Sequence, residues 1–313
     1  MVNWSDNRVL VTGGSGFMGQ ALVRSLLERD VGAVCVYSRG EYAQATMRQA
    51  LHDPGSRVRW FIGDVRDRER LRQAMRGVDV VLHTAALKRV EVGEYNPSEM
   101  VATNVIGAMN VVQEAMDAGV GMVVATSTDK ACQPLNMYGA TKLCMEKLLL
   151  GANTAAGAHS TRFSVVRYGN VAGSTGSVIP TWRQMAAAGQ KVVPMRDPQC
   201  ARFWMTIDEA VRLVLWTAEN MEGGELVVPL MPAYRLPDLA AAMGLETVDA
   251  SLGQGEKLNE TMIAPGEHQD FRYHEPYLVS GGLARRYQEP NIAGVRTHML
   301  SIDELRERLK AVP

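Results

Sequence analysis

Hydrophobic and polar positions follow one repeating pattern through the first half of the chain. Short runs of β-branched residues alternate with longer segments of helical periodicity as far as Gly169. This alternation is typical of a parallel sheet covered by helices on both faces, so it predicts an α/β, Rossmann-type doubly wound domain over residues 1–170. The predicted strands are Arg8–Thr12, Ala33–Ser38, Val58–Ile62, Val78–His83, Met122–Thr126 and Ser164–Arg167.

The pattern changes after Gly169, where segments punctuated by glycine and proline mix with helices such as Ile207–Glu219. We therefore expect residues 171–313 to form mainly a smaller, loop-rich substrate-binding region, with some segments returning to the first domain. Ser301 and Glu304 have the spacing of a capping box, which predicts a last helix through Lys310.

Composition and charge exclude several classes of protein. The chain has 313 residues, with 33 basic against 34 acidic side chains and a net charge of -1, so no nucleic-acid partner is expected. No apolar run approaches the roughly 18 residues that span a bilayer. The four cysteines lack a C-x-x-C pair and the start lacks a secretory signal, which favours a cytoplasmic protein. The six histidines do not have the spacing of metal ligands, so no metal is expected. The charged stretch Arg66–Arg76 is interpreted as a solvated helix face.

A glycine-rich segment follows the first predicted strand and precedes a predicted helix over Ala21–Arg29. Its spacing is G-x-x-G-x-x-G, with Gly13 at a tight turn, Gly16 at the approach to a pyrophosphate and Gly19 where helix and strand pack closely. The segment therefore predicts a dinucleotide site. Its spacing resembles that of the short-chain dehydrogenase/reductase superfamily.

The end of the second predicted strand bears on the choice of dinucleotide. Ser38 and Arg39 offer a hydroxyl and a guanidinium, and no carboxylate precedes Glu41, so NADP is favoured while NAD stays possible. Stacking of Arg39 on adenine without selection is the other interpretation. Asp64 and Val65, after the third strand, lie where the superfamily contacts adenine.

Two sets of residues carry the predicted chemistry. Tyr138 and Lys142 are four residues apart on a predicted helix, where the ammonium, with an oxidised nicotinamide, would lower the pKa of the phenol and make Tyr138 the redox base. Thr128, Asp129 and Lys130 follow the fifth strand. They place a carboxyl and an amine side by side at the sheet edge where such folds bind ligands, which supplies an acid and a base.

Eight motifs are spread over nearly the whole chain: Ala85–Lys88, Glu94–Pro97, Ser127–Ala131, Asn136–Lys142, Arg167–Val171, Gly176–Pro180, Arg202–Trp204 and Gly255–Leu258. Together they resemble the inverting UDP-N-acetylglucosamine 4,6-dehydratase family of pseudaminic acid synthesis. The resemblance implies an internal redox cycle, with oxidation at C4, loss of water across C5 and C6, and return of hydride to C6. It further implies that Lys130 is the base at C5 and that Asp129 protonates the departing 6-hydroxyl.

The same resemblance, with the glycine pattern, implies the binding residues. Those on the cofactor side are Gly13, Ser15, Gly16, Phe17, Met18, Gly19, Ser38, Arg39, Asp64, Val65, Thr84, Ala85, Ala86, Lys88, Asn104, Tyr138, Lys142, Tyr168 and Val171. Those on the substrate side are Lys88, Thr128, Asn170, Ser177, Val178, Arg202 and Lys257. It also implies a homo-oligomer, a dimer at least, paired through the helices Pro97–Ala118 and Tyr138–Ala156.

One position departs from the family and leaves the substrate open. Gly253 stands where the family has an arginine that holds the substrate diphosphate, and Arg202 and Lys257 are the candidate substitutes. The alternative is a dehydratase of a nucleoside, or of a sugar lacking a diphosphate, in which 5,6-dehydration leaves an exocyclic alkene.

Two further alternatives share the dinucleotide site. A nucleotide-sugar 4-epimerase would use Tyr138 and Lys142 but has no need of the adjacent Asp129 and Lys130. A non-enzymatic NADP-binding protein would be expected to have lost catalytic positions, whereas all of them are present.

Overall fold

The computed structural model of the protein describes residues 2–53, 55–155, 161–195, 197–250, 255–274, 276–281 and 297–312. The strands are β1 (Arg8–Thr12), β2 (Ala33–Ser38), β3 (Val58–Ile62), β4 (Val80–His83), β5 (Met122–Thr128), β6 (Arg162–Tyr168), β7 (Val192–Met195), β8 (Ala201–Phe203), β9 (Leu226–Pro229), β10 (Ala233–Arg235), β11 (Glu246–Asp249), β12 (Arg272–His274) and β13 (Tyr277–Val279). The helices are α1 (Phe17–Glu28), α2 (Glu41–Ala50), α3 (Arg68–Ala74), α4 (Val90–Tyr95), α5 (Pro97–Val101), α6 (Gly107–Asp117), α7 (Met137–Ala155), α8 (Val178–Ala187), α9 (Ile207–Asn220), α10 (Leu236–Ala242) and α11 (Ile302–Lys310).

Nine strands form one sheet in the order β12-β13-β9-β6-β5-β4-β1-β2-β3. Neighbouring strands run parallel in the series β9-β6-β5-β4-β1-β2-β3. β13 and β12 extend the sheet beyond β9 with antiparallel pairs. The direction of strand succession reverses between β1 and β4, so their carboxyl ends border the crevice in which open α/β sheets bind ligands. The predicted Rossmann-type doubly wound fold is confirmed.

The central strands are buried on both faces, which explains their nearly continuous apolar sequence. Every residue of β4 and β5 is buried, as are four of the five residues of β1. His83 ends β4 within this core. Its Nδ1 lies 2.7 Å from Oγ1 of Thr12, and burial lowers the pKa of the imidazole to about 3, so His83 is a neutral packed residue.

Three predicted strands differ from the observed ones at their ends. β4 starts at Val80 because the backbone of Val78 closes a turn on Met75. β5 and β6 extend further than predicted, to Thr128 and Tyr168, because these residues continue the parallel pairing of the two strands. The polar side chains at the end of β5 are therefore held in a strand.

The arginine-rich stretch is more than the solvated helix face that was predicted. The guanidinium groups of Arg68 and Arg72 on α3 both donate to the carboxylate of Glu114 on α6, which is fully buried. A buried carboxylate requires such partners, since desolvation without them costs several kcal/mol. The two arginines therefore tie α3 to α6.

The chain after β6 contributes to two parts of the molecule. β9, β12 and β13 join the large sheet, whereas α8, α10 and α11 pack around a second hydrophobic cluster that includes Trp204 and Tyr234, whose rings meet edge to face. The capping box of Ser301 and Glu304 is confirmed at the start of α11. The domain boundary near residue 170 stays a prediction. No helix in the described ranges is both long and apolar enough to cross a membrane.

Candidate active site

The glycine-rich segment forms a tight backbone cradle at the carboxyl end of β1. Gly13 has a φ of 69°, and a Cβ there would lie 2.9 Å from the backbone of Ala85. A Cβ on Gly19 would overlap the carbonyl oxygen of Gly13. Gly14, which the motif did not single out, is equally constrained, because its Cβ would lie 2.8 Å from the carbonyl oxygen of Val11.

This cradle opens onto the start of α1, where Gly16 is the N-cap residue and no side chain caps the helix. The first N–H groups of a helix lack acceptors within the helix and carry the positive end of its dipole. Phe17 and Met18 are the first helical residues, so their backbone lies where a pyrophosphate would be held. The residues present thus fit a dinucleotide.

The end of β2 presents the predicted hydroxyl and guanidinium. The hydroxyl of Ser38 accepts hydrogen bonds from Ser15 (2.8 Å) and from Gln44 on α2 (2.9 Å). Arg39 is about half exposed and its guanidinium lies 3.6 Å from Asp64. Burial raises the pKa of Asp64, but the hydrogen bonds from Arg66 outweigh it and the pKa is below its usual value.

The loop after β4 closes the other side of the cradle. The hydroxyl of Thr84 donates to the carbonyl of Thr12, and Ala85 and Ala86 follow it. Asn104, in a π-helical segment between α5 and α6, holds this loop: its amide bonds both the N–H and the carbonyl of Leu87 and also donates to Thr141 on α7. Asn104 therefore fixes the loop against the helix that carries Tyr138.

Two predicted cofactor residues, Val65 after β3 and Val171 after β6, are buried. Val65 packs against α6, where a Cβ on Gly107 would lie 2.6 Å from its side chain. Val171 pairs with Met205. Burial raises the pKa of Tyr168, whose hydroxyl interacts with Thr126, so the phenol is neutral.

The predicted acid and base form an ion pair at the carboxyl end of β5. Oδ1 of Asp129 lies 3.1 Å from Nζ of Lys130 and accepts a second hydrogen bond, of 2.9 Å, from the hydroxyl of Thr128. Asp129 is fully buried, and its Oδ2 has no hydrogen-bond partner among the described residues. Burial alone would lower the pKa of Lys130, but the neighbouring carboxylates of Asp129 and Glu260 raise it well above its usual value. Lys130 is therefore protonated at neutral pH.

Glu260 is a partner of Lys130 that the sequence did not reveal. Its Oε1 lies 3.2 Å from Nζ of Lys130, and its side chain is only 3% exposed. No local spacing joins these two residues, so only the tertiary structure reveals the contact.

Tyr138 reaches the same cluster from α7. The lowering of its pKa by Lys142 together with an oxidised nicotinamide stays a prediction. Burial raises the pKa of the phenol, and the hydrogen bond with Thr128 and the charge of Lys130 only partly offset it. Nζ of Lys142 lies instead 3.0 Å from the sulfur of Met145, and burial lowers its pKa to about 8. Of the two lysines, Lys130 is the one whose charge partly offsets the effect of burial on the pKa of Tyr138.

Several predicted substrate residues line a small cavity beside this cluster. Its walls are formed by Asn170, Val171, Ala172, Ser177, Val178, Ile179, Phe203, Trp204 and Tyr234. Oγ of Ser177 and Nε1 of Trp204 are buried without a hydrogen-bond partner in the described part of the chain. Buried polar atoms are rarely left unpaired unless a ligand or water serves them, so these walls fit a polar ligand.

The two cations proposed to replace the missing arginine have protein partners. Arg202 donates to the carbonyl groups of Ala201, Lys257 and Leu258. Nζ of Lys257 donates to the carbonyl of Cys132 over 2.5 Å. Gly253 itself lies outside the described residues.

A pair of adjacent cations lies on the loop after β4 instead. Lys88 and Arg89 are both exposed, and neither has an ion-pair or hydrogen-bond partner within the described ranges. A Cβ on Gly176 would lie 3.4 Å from Nη2 of Arg89, so the guanidinium packs against the loop that precedes α8. Lys88 was predicted to contact substrate; Arg89 was not singled out.

The sheet order, the glycine cradle and the pairing of Tyr138 with Lys142 on one helix define a Rossmann enzyme of the short-chain dehydrogenase/reductase class. Residues 9–281 match the family described as polysaccharide biosynthesis protein, and the chain belongs to that family.

Known relatives agree with this assignment. The chain is 42% identical over 284 residues to the UDP-N-acetylglucosamine 4,6-dehydratase (inverting) of Campylobacter jejuni, covering 90% of this chain and 84% of the relative. It is 33% identical over 340 residues to the UDP-glucose 4-epimerase of Rickettsia akari, covering 97% of this chain and 98% of the relative. The predicted resemblance to the inverting dehydratases is thereby confirmed.

Solved structures show the same architecture. The X-ray structure of Pen from Bacillus thuringiensis superposes with a TM-score of 0.92 at 33% identity, covering 99% of this chain and all of that one. DesIV, a dTDP-glucose 4,6-dehydratase from Streptomyces venezuelae with NAD and TYD bound, gives a TM-score of 0.74 at 24% identity, covering 97% of this chain and 98% of that one. The latter similarity supports the fold.

Proposed function

We propose that this protein is an NAD(P)-dependent nucleotide-sugar 4,6-dehydratase, a carbon–oxygen lyase whose substrate is UDP-N-acetylglucosamine. The observation that carries the proposal is the buried Asp129–Lys130 pair next to Tyr138. A 4-epimerase requires redox chemistry at C4 alone, for which Tyr138 suffices. Elimination across C5 and C6 additionally requires an acid and a base, and the greater identity to the dehydratase than to the epimerase supports the same choice.

The proposed cofactor is NADP. Bound in the cradle, the nicotinamide supplies a reversible two-electron acceptor for the sugar. Ser38 and Arg39 favour the 2′-phosphate of NADP, because a hydroxyl and a guanidinium end β2 where NAD-specific sites have a carboxylate. Mass spectrometry of the cofactor released from the purified protein tests this choice, and release of NAD alone would contradict it.

The side chain of Lys130 must be a neutral amine before it can remove the proton from C5. Its raised pKa means that loss of the proton to solvent is unfavourable at neutral pH. Transfer of that proton to Asp129, whose Oδ1 is 3.1 Å away, produces the amine and the carboxylic acid in one step. The pair then contains both the base for C5–H and the acid for the departing 6-hydroxyl, and its proton count is unchanged.

The proton balance of the full cycle involves Thr128. Tyr138 gains the proton of the 4-hydroxyl. The Asp129–Lys130 pair takes the proton from C5, gives one to the water that leaves and returns one to C5 as hydride adds to C6, so the pair loses one proton in all. To reset the site, a proton must return from Tyr138 to the pair. The hydroxyl of Thr128 interacts with Tyr138 and donates to Oδ1 of Asp129 at 2.9 Å, so it lies between the two groups.

The free cations support a substrate with a diphosphate. Arg89 packs beside Gly176, next to its neighbour Lys88, and neither cation has an ion-pair or hydrogen-bond partner within the described ranges. Arg202 and Lys257, in contrast, donate hydrogen bonds to backbone carbonyl groups. We propose that Arg89 takes the place of the arginine absent at Gly253. A guanidinium next to a diphosphate forms charge-assisted hydrogen bonds that are stronger than those between neutral groups.

Incubation with UDP-N-acetylglucosamine in D₂O is expected to give a product lighter by one water molecule and labelled at C5, with a methyl group at C6 in its NMR spectrum. Arg89→Ala is expected to raise KM for this substrate by about 10- to 100-fold, from the loss of a bond worth about 1.5–3 kcal/mol. The control Arg24→Ala, at an exposed position on α1, should leave KM unchanged.

The alternatives give different products. An exocyclic alkene without label at C5 would support the 5,6-dehydration, and turnover of a nucleoside in place of the nucleotide sugar would contradict the diphosphate proposal. Formation of the 4-epimer without loss of water would identify an epimerase.

A homo-oligomer, a dimer at least, is also proposed. Ile106 and Met109 are exposed apolar residues on one side of α6 and the preceding turn, and Cys144 is exposed on α7. In the proposed dimer, these helices of one subunit would pack against the same helices of the other. Sedimentation of the protein as a monomer would contradict this.

A cytoplasmic location is proposed from the four unpaired cysteines.

A further inference from the structure

The buried carboxylate of Glu260 lies within a network that links the C-terminal part of the chain to the end of β5. Its Oε1 is 3.2 Å from Nζ of Lys130 and its Oε2 is 3.7 Å from Nζ of Lys257. Lys257 in turn donates to the carbonyl of Cys132, which follows Lys130 closely in sequence. Lys130 is thus held between two carboxylates, one local and one distant in sequence.

The segment that carries Glu260 is held by hydrogen bonds from two other parts of the chain. The amide of Asn136, next to α7, donates to the carbonyl of Gly255 at 2.8 Å. The backbone N–H of Ala201 donates to the side chain of Asn259 at 3.1 Å, and Arg202 donates to the carbonyl of Leu258 at 2.9 Å. The position of the Glu260 carboxylate is therefore set by the fold around it.

We propose that Glu260 is a positioning residue for Lys130 in the elimination step, an inference that rests on the proposed dehydratase function. A lysine nitrogen has three positions besides its bond to Cε. Asp129 and Glu260 occupy two of them, at 3.1 and 3.2 Å. The third position is left for C5 of the sugar. It carries a proton in the ammonium, and after a proton has passed to Asp129, rotation about the Cε–Nζ bond brings the lone pair of the amine to this position.

The elimination step balances with these groups. The C5–H bond breaks, its proton bonds to Nζ of Lys130, and the electron pair forms the enolate of the 4-ketone. The enolate then forms the C5–C6 double bond as the C6–O bond breaks, and the proton on Asp129 passes to the departing oxygen to give water. Throughout, Glu260 accepts a hydrogen bond from Nζ of Lys130.

The charged and titratable groups that face Lys130 are Asp129, Glu260 and Arg202, together with the phenols of Tyr138 and Tyr234. Glu260→Gln removes one of the two negative charges and preserves an oxygen that can accept the hydrogen bond. The pKa of Lys130 should therefore fall, so the ammonium of Lys130 loses a proton to solvent at lower pH. The alkaline limb of the dehydration rate should move to lower pH.

A labelling experiment tests the contact without any substrate. Amine acylation by acetic anhydride, followed by mass spectrometry of the Lys130 peptide, reports the fraction of neutral amine. At about pH 9, Glu260→Gln is expected to raise Lys130 labelling on the order of 10-fold for each unit by which the pKa falls. The control Glu246→Gln, an exposed carboxylate on β11, should leave it unchanged.

A kinetic experiment tests the positioning role. Glu260→Ala is expected to slow exchange of C5–H in D₂O by about 10- to 100-fold, since small misplacements of a catalytic group have effects of that size. Oxidation at C4, followed by the absorbance of the reduced nicotinamide, should stay within about a factor of two. Glu260→Gln should restore most of the exchange rate at neutral pH.

The outcomes separate the two hypotheses. If the wild-type protein does not turn over UDP-N-acetylglucosamine, the proposed function fails, and the labelling result still tests the Glu260 contact. Unchanged labelling and an unchanged alkaline limb in Glu260→Gln would overturn the positioning role. Equal slowing of oxidation and exchange in Glu260→Ala would also overturn it, because that pattern indicates general damage to the site.

Discussion

Replacing Lys130 by methionine is expected to lower the dehydration rate by about 10³-fold, within the range of about 10²–10⁴ for loss of a general acid–base group. Oxidation at C4 should fall much less, because Tyr138 is its base and Lys130 affects that step only through its charge. Reduced cofactor should therefore accumulate in a fraction of the variant molecules when substrate is added. Single-turnover absorbance, with mass spectrometry of the sugar, measures both steps.

Asp129→Asn provides the companion variant. It retains the side-chain volume but cannot receive the proton of Lys130, so dehydration should be lost as fully as in Lys130→Met. Lys191→Ala, at an exposed lysine far from the pair in sequence, is the control and should behave as the wild type. Equal loss of oxidation and dehydration in the first two variants would argue against the separation of roles.

Replacing Arg167 by methionine is expected to lower the free energy of unfolding by about 3–5 kcal/mol, the effect of removing one partner from a buried ion pair. Arg167 on β6 is 1% exposed and bonds the carboxylate of Glu146 on α7 at 2.6 and 3.0 Å. It also bonds Glu267 and the carbonyl of Met262. The substitution leaves Glu146 charged, buried and short of partners, apart from Ser127 on β5.

Urea unfolding measures this loss. Arg29→Met is the matched control, because Arg29 pairs with Glu219 at the surface, with side chains 41% and 26% exposed. Exposed pairs contribute at most about 1 kcal/mol. The double variant Arg167→Met, Glu146→Gln should recover part of the lost stability. A loss in Arg167→Met no larger than in Arg29→Met would contradict the argument.

The fold and much of the site were predictable because their signals are local. Strands buried on both faces need continuous apolar runs, and a pyrophosphate cradle needs glycines where a Cβ would collide, as at Gly13 and Gly19. The proposed acid and base, Asp129 and Lys130, are sequence neighbours. Their type and their position after a strand were enough to predict a carboxyl and an amine side by side there.

The features that were missed depend on contacts between distant residues. Glu260 meets Lys130 only because the C-terminal segment folds back, and Arg89 lies beside Gly176 only through the tertiary fold. The burial that raises the pKa of Tyr138 could not be predicted either, because a four-residue spacing does not show how deeply a side chain is buried. β12 and β13 have three residues each, too few to show a period.

The link between Lys257 and Cys132 joins residues 125 positions apart and has a consequence for biosynthesis. Closing so long a loop is slow relative to local pairing, and the second partner leaves the ribosome well after the first. The strands that hold the cradle can therefore assemble on the nascent chain before Lys130 has its second carboxylate. The ion-pair network around Lys130 is completed after the glycine cradle as the chain is made.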